Sequence, residues 1–288
     1  MEPTKEEIID VLKQAQRAFM GQDYAQAIEK YGWVEQYIQD DPENLAALWS
    51  EMGWTYYLMQ DYPKAIAILS KALQSPHLNQ KQVFDCLRIT GFSHEYAGNP
   101  DKAIAFLQDA LLQPVADEEK RYTYFELGKI FFAQNMSRDA KPYLEKAQKL
   151  LDKTDHDYLQ TTLYYLGFIA FFEKEMEKSE DFFQTYIKNA ANEQAAVPGY
   201  FGMAHLYFER KNFESLLEIS QKIMQLDDVF FDRETIAFFL CKSYLALNKW
   251  KELGVFLPEL KAAFPNGRYA AVYPEMQKAL DYHRASPN

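Results

Sequence analysis

The sequence predicts an all-α chain built from about seven stacked helix pairs. Three observations lead there. First, a column of small residues recurs as Ala15, Gly53, Gly91, Gly128, Gly167, Ala204 and Cys241, at spacings of 37 to 39 residues. Second, the residues between those points read as two amphipathic helices and a tight turn, with apolar positions recurring at helical spacing. Third, 48% of the 288 residues are apolar and only 11 are Gly, a composition suited to packed helices. A helix pair this short cannot bury its own apolar face and needs a neighbour on each side.

Other columns travel with the small one. Twelve residues further on stand Ala27, Ala65, Ala103, Ala140, Ser179, Leu216 and Leu253. Three after the small residue come Ala18, Tyr56, His94, Phe131, Ala170, Tyr207 and Tyr244. Four before it stand Val11, Trp49, Leu87, Tyr124, Leu163, Tyr200 and Ala237. Chance spacing of small residues would not bring these flanking columns into register.

In chain order, Thr4 with Glu7 forms a capping box for the first helix, and Asp23 caps the second. Asp41-Pro42 opens the next pair, because Pro suits the first helical position. Within that pair Asp61 caps the second helix, and Asn79 with Gln82 opens the third pair. Asn99 is expected to cap the helix beginning at Pro100, after the Gly98 turn. Further pairs open near Asp117, Gln160, Val197 and Asp232. They turn at Asn135–Ser137, Lys174-Glu175, Lys211-Asn212 and Asn248-Lys249. Charged links run from Asp152 to Asp157 and from Asn189 to Gln194. After Pro265-Asn266-Gly267, residues 268–285 read as a solvating terminal cap, with Pro274 breaking or starting its helix.

The repeat resembles the tetratricopeptide repeat family. The family pattern W-x2-L-G-x2-Y…A-x3-F…A…P stands here as Trp49, Met52, Gly53, Tyr56, Ala65, Leu69, Ala72 and Pro76. The resemblance covers roughly residues 8 to 265, with repeats starting near 8, 46, 84, 121, 160, 197 and 234. The period is longer than the family's, and Ser179, Leu216 and Leu253 depart from the Ala of earlier repeats. The resemblance implies a right-handed α-solenoid, one superhelical domain over 1–288, whose first helices line a concave groove that binds other proteins.

The first-helix registers hold many aromatics. The residues expected to meet a ligand are Trp54, Tyr57, Arg88, Phe92, Phe125, Lys129, Phe132, Tyr164, Phe168, Phe171, Phe201, His205, Phe208 and Lys242. The middle repeats hold the densest set, with Phe168 near its centre. Packing between neighbouring repeats competes with ligand binding for these rings, and both readings stand at this stage. Arg88, Lys129, His205 and Lys242 are cations suited to orienting a ligand carboxylate or carbonyl, or to pairing with Glu95 and Glu126. Family members that clamp a partner's C-terminal carboxylate do so with Lys and Asn. At the matching positions this chain has Leu12, Gln16, Glu51, Asp85 and Ile89, so no clamp is expected there.

Chemistry beyond binding finds no support in the letters. The five His residues form no metal-ligand spacing with one another, with Cys or with carboxylates, so neither a metal nor a cofactor is expected. No Gly-rich phosphate loop or G-x-S-x-G turn is present. Cys241 sits in the small packing column and reads as a buried, inert thiol. Cys86 and Cys241 lie four repeats apart, too far for a disulfide within a solenoid. The formal charge of −11 opposes phosphate binding and docking on anionic lipid. The N-terminus has no apolar run like that of a signal peptide, so the cytoplasm is the expected compartment. The expected function is a non-enzymatic scaffold that binds an apolar peptide or helix in an aromatic groove. Self-association into an assembly is the alternative.

Overall fold

Side-chain caps set seven of the helix starts. In a computed structural model describing residues 2–227 and 229–285, Thr4 and Glu7 make both halves of a capping box. Asn79 and Gln82 do the same. Asp23, Asp41, Asp61, Asn212 and Asp232 each accept a hydrogen bond from the backbone N–H three residues on. Asn99 occupies the cap position without capping, because its side-chain amide donates to the Ala97 carbonyl instead, at 3.1 Å.

The described residues form fifteen α-helices and two short 3-10 turns. Seven antiparallel-sequence pairs follow one another: α1 (Lys5–Met20) and α2 (Tyr24–Tyr37); α3 (Pro42–Leu58) and α4 (Tyr62–Leu73); α5 (Gln80–Tyr96) and α6 (Pro100–Leu111); α7 (Arg121–Ala133) and α8 (Ser137–Leu150). Then come α9 (His156–Phe172) and α10 (Met176–Asn189), α11 (Val197–Glu209) and α12 (Phe213–Leu226), and α13 (Arg233–Ala246) and α14 (Trp250–Ala263). The last helix is α15 (Tyr273–Ala285), preceded by a 3-10 turn at Ala270–Val272. The helix of the terminal cap therefore starts beside Pro274, and it buries Tyr273, Met276 and Leu280.

The chain forms two compact units, Met1–Asp152 and Lys153–Asn288. The division falls in the charged link that the sequence marks, where Asp152-Lys153-Thr154-Asp155 carries no apolar side chain to bury. The first unit holds α1 to α8 and the second α9 to α15.

In four of the pairs a glycine of the first helix meets a large residue sixteen positions later in the second. A Cβ added to Gly91 would stand 2.6 Å from Leu107 Cγ, and one on Gly128 would stand 2.5 Å from Leu144 Cγ. Gly53 faces Leu69 in the same way, and Gly167 faces the Phe183 ring at 2.6 Å. Where the small residue is Ala204, the residue sixteen on is Ser220, and both are buried. The departure at Ser179 is also accommodated: its hydroxyl donates to the Gly167 carbonyl at 2.9 Å.

The turns inside the pairs are equally regular. Gln22, Gln60, Gly98, Asn135, Lys174, Lys211 and Asn248 all adopt positive φ, between 55° and 75°. Each lies seven residues after the small column. The next residue donates its N–H to the carbonyl of the column three after the small residue, as from Asp61 to Tyr56 at 2.9 Å and from Asn99 to His94 at 2.8 Å. This is a Schellman closure in which the residue that ends the motif also begins the next helix. Only one of the seven left-handed positions is Gly.

A left-handed non-glycine residue costs about 1–2 kcal/mol, and a glycine returns roughly 0.5–1 kcal/mol of that as chain entropy. Gln60→Gly is therefore expected to raise stability by about 0.5–1 kcal/mol in urea unfolding. Gly128→Ala forces a methyl into Leu144 and is expected to cost about 1–3 kcal/mol. An unchanged unfolding midpoint for Gly128→Ala would contradict this packing.

Candidate functional site

The first unit presents the first-helix faces of α1, α3, α5 and α7. Trp54 on α3 is half-buried, and the Arg88 guanidinium of α5 lies over its ring at 4.8 Å. Arg88 Nε donates to Asp85 at 2.8 Å, so its charge is paired within its own helix rather than with Glu95. Tyr57 packs with tilted rings among Tyr62, Phe92 and Tyr96 at about 6 Å, and Tyr62 stacks on Tyr96 at 5.3 Å. Phe92 and Phe125 are buried, while Phe132 keeps part of its ring exposed. Lys129 pairs with Glu126 at 2.5 Å and reaches over the Tyr96 ring at 5.3 Å. Burial pushes the Glu126 carboxyl up, with the Lys129 charge opposing it.

The second unit gathers aromatics from α9, α11 and α13. The sequence suggests Phe168 as an accessible anchor, but its ring is only 6% exposed. Tyr164 at 4.9 Å, Phe183 at 5.0 Å, Phe201 at 6.1 Å and His205 at 5.4 Å enclose it. Phe168 therefore belongs to the core, because Phe183 enters from the second helix and closes the space the first-helix register left open. Phe201 is buried by the same cluster and by Phe230 at 5.0 Å. Tyr164, Phe171 and Phe208 keep partly open faces. Phe171 stands edge-on to His205, with Lys174 over its ring at 5.6 Å. Phe208 stacks on Phe239 at 4.9 Å. Lys242 is half-buried and has no ion pair among the described residues.

His205 is fixed by one hydrogen bond. Its Nδ1–H donates to the Phe201 carbonyl at 3.0 Å, which leaves Nε2 as an acceptor in the neutral ring. Burial among phenyl rings holds its pKa below the usual histidine value, against the opposing pull of that hydrogen bond. His94, stacked on Phe106 at 5.4 Å, is lowered by burial and by the nearby Lys102 charge. The two thiols are also inert. Burial pushes Cys86 up to about 11 and Cys241 up to about 12.

Two concavities open across the first helices of the first unit. One of about 710 Å³ runs between α1, the end of α2 and α3, past Ile8, Leu12, Tyr37 and Leu48. Another of about 480 Å³ continues across α1, α3 and α5 past Phe19, Met20 and Trp54 to Asp85. Gln16, Ala47 and Glu51 border both. Of the residues expected from the sequence, only Trp54 lines this trough directly. The expected ligand-contacting residues do not include Phe19, Met20 and Glu51, because the aromatic density of the sequence lies in later repeats. The signal that could have found them was the clamp register itself, where Gln16, Glu51 and Asp85 stand. Phe183, Phe230, Phe239 and Tyr269, which complete the second unit's cluster, lie on second helices, links or outward registers. Tyr269 stacks flat on Phe238 at 4.0 Å.

No helix among the described residues is long and apolar enough to cross a membrane. No group of three or more His, Cys, Asp or Glu side chains among them is placed to hold a metal ion.

No protein-family pattern matches the sequence, and no curated protein matches it. Solved structures do match. The C-terminal part of a TPR repeat-containing protein from Cytophaga hutchinsonii is 17% identical. That match covers 91% of this chain and 98% of that one, with a TM-score of 0.64. The apo form of the quorum sensor NprR from B. thuringiensis is 14% identical over 88% of this chain and 75% of its own, with a TM-score of 0.57. YrrB, described as a TPR protein with an unusual peptide-binding site, is 16% identical over 67% of this chain and 91% of its own, with a TM-score of 0.55.

His94 and His205 both have lowered folded-state pKa values, so the unfolded chain takes up protons first as pH falls. Their contribution is fully present above the unfolded value of about 6.5 and declines as pH drops below it. The melting temperature is expected to fall between pH 7.5 and pH 5.5, and to fall less in His94→Phe and His205→Phe. An equal fall in wild type and both variants would show that these rings do not titrate on unfolding.

Proposed function

The chain has the tetratricopeptide-repeat fold, and from that premise we propose that it is a non-enzymatic module that binds another protein through the first-helix faces of its repeats. The observation that carries this reading is the open trough across α1, α3 and α5, with an apolar wall and a few polar side chains. Binding sites for other molecules typically combine these features. The printed description of YrrB as a TPR protein with a peptide-binding site lends support from a chain of the same fold. The buried, protonated thiols of Cys86 and Cys241 supply no nucleophile, which fits a role without covalent chemistry.

Two surfaces are proposed for contact with the partner. The first is the trough around Trp54, flanked by Arg88 and Tyr57. The second is the half-open aromatic face of the second unit, where Tyr164, Phe171, Phe208, His205 and Lys242 lie. The buried rings Phe92, Phe125, Phe168 and Phe201 support these surfaces from below, and Lys129 and Phe132 stand at the edge of the first unit's face.

The test is copurification of the tagged chain from native lysate, mass spectrometry of what is retained, and calorimetry with the recovered partner. Trp54→Ala or Phe171→Ala is expected to weaken binding at least about tenfold, as truncation of an aromatic anchor does. Phe168→Ala is unsuitable as a binding test, because emptying that core position is expected to cost about 3–5 kcal/mol of stability. Unchanged affinity in both Trp54→Ala and Phe171→Ala would place the partner off these faces and overturn the reading.

A further inference from the structure

The trough on the first unit carries an unbalanced charge. Four carboxylates border it, those of Asp40, Asp41, Glu51 and Asp85, against one ammonium, that of Lys5. Asp41 is occupied in capping α3, and Asp85 is held by Arg88. Glu51 differs from both. It is half-buried at the point shared by the two cavities, and it accepts only from neutral groups, the Gln16 amide at 3.2 Å and the Tyr31 hydroxyl. It has no cationic partner among the described residues.

Neutral donors orient a carboxylate without cancelling its charge. A cation brought to Glu51 would therefore form a charge-assisted hydrogen bond partly shielded from water. The lips of the trough are apolar as well. Ile9 is 41% exposed, Tyr37 43% and Met20 80%, and all three border the two cavities. Large exposed apolar side chains gathered along one concavity mark a docking surface rather than scattered surface residues.

We infer that this trough docks an apolar segment of a partner protein that carries a Lys or Arg, with the cation seated at Glu51 and the flanking apolar side chains against Ile9, Tyr37 and Met20. The inference rests on the interaction-module reading above and adds the chemistry of the partner. The charge is opposite to that needed for a terminal carboxylate, and Glu51 and Asp85 stand where a cationic clamp would need Lys or Asn.

The test uses short fluorescein-labelled peptides of Leu, Ala and Gln with one central Arg. One twin carries Glu in place of the Arg, and another carries Ser in place of every Leu. The Arg peptide is expected to bind the full chain at least about tenfold more tightly than either twin. Glu51→Gln keeps the acceptor for Gln16 and Tyr31 and is expected to abolish the preference for Arg over Glu. Trp54→Ala is expected to weaken the Arg peptide about tenfold. Glu145→Gln, on the exposed side of α8, is expected to change nothing. Circular dichroism confirms that each variant is folded.

Equal affinity for the Arg and Glu peptides, or an Arg preference that survives Glu51→Gln, overturns the inference. Equal affinity for the Ser twin reduces it to general attraction by an acidic protein and overturns it too. A dimer in sedimentation that Trp54→Ala dissolves would make a second copy the occupant, with the same consequence. If the natural partner binds and responds to Phe171→Ala but not to Glu51→Gln, the interaction function stands and only the trough inference falls.

Discussion

The structure depends on the close approach of two helices within each repeat. Gly53, Gly91, Gly128 and Gly167 have no side chain because Leu69, Leu107, Leu144 and Phe183 fill the space where a Cβ would be. All four of those partners are essentially inaccessible to water. A missing methyl on one helix and a full side chain on the other give native packing density, and either change alone would leave a void or a clash. Because this pairing recurs at a fixed offset of sixteen residues, it fixes the register of every pair that uses it.

The turn geometry follows from the same register. The helix must reverse within a residue or two to bring its successor back onto the small column, and a single left-handed residue achieves that. The carbonyl that closes the turn comes from the column three residues after the small one, so the packing column and the turn column lie within one turn of the same helix. The six non-glycine residues at positive φ show that the tertiary contacts outweigh the local backbone cost there.

The second unit solves the packing problem differently. Phe183 replaces Leu, and its ring presses against Gly167 on α9 and Gly202 on α11. One side chain thereby joins three helices, and the extra ring recruits Phe168, Phe201 and His205 into a closed aromatic cluster. Aromatic density in this unit is therefore spent chiefly on cohesion. The first unit has Leu69, Leu107 and Leu144 at this position in three of its pairs and Tyr31 in the first, and a concavity across its first helices is open. The polar groups of the two units are placed differently: His205 is held toward its neutral form by burial among rings, whereas Glu51 borders an open trough and accepts from Gln16 and Tyr31.

The sequence by itself determined the helical class, the seven pairs, the small column and most caps. These are local or strictly periodic properties, set by backbone hydrogen bonding and by side-chain size at fixed offsets. Thr4, Asn79 and Asp61 act as their letters imply because a cap involves only its own first turn. Asn99 does not, since its amide has a competing carbonyl at Ala97 that no pattern reveals. The openness of the first-helix faces was decided only by tertiary structure. Whether a ring such as Phe168 faces solvent or core depends on what arrives from other helices, here Phe183 and Phe201. The surroundings of Glu51 are of the same kind: the letters place a carboxylate on α3, but only the fold shows that Gln16 and Tyr31 reach it and that no cation among the described residues does.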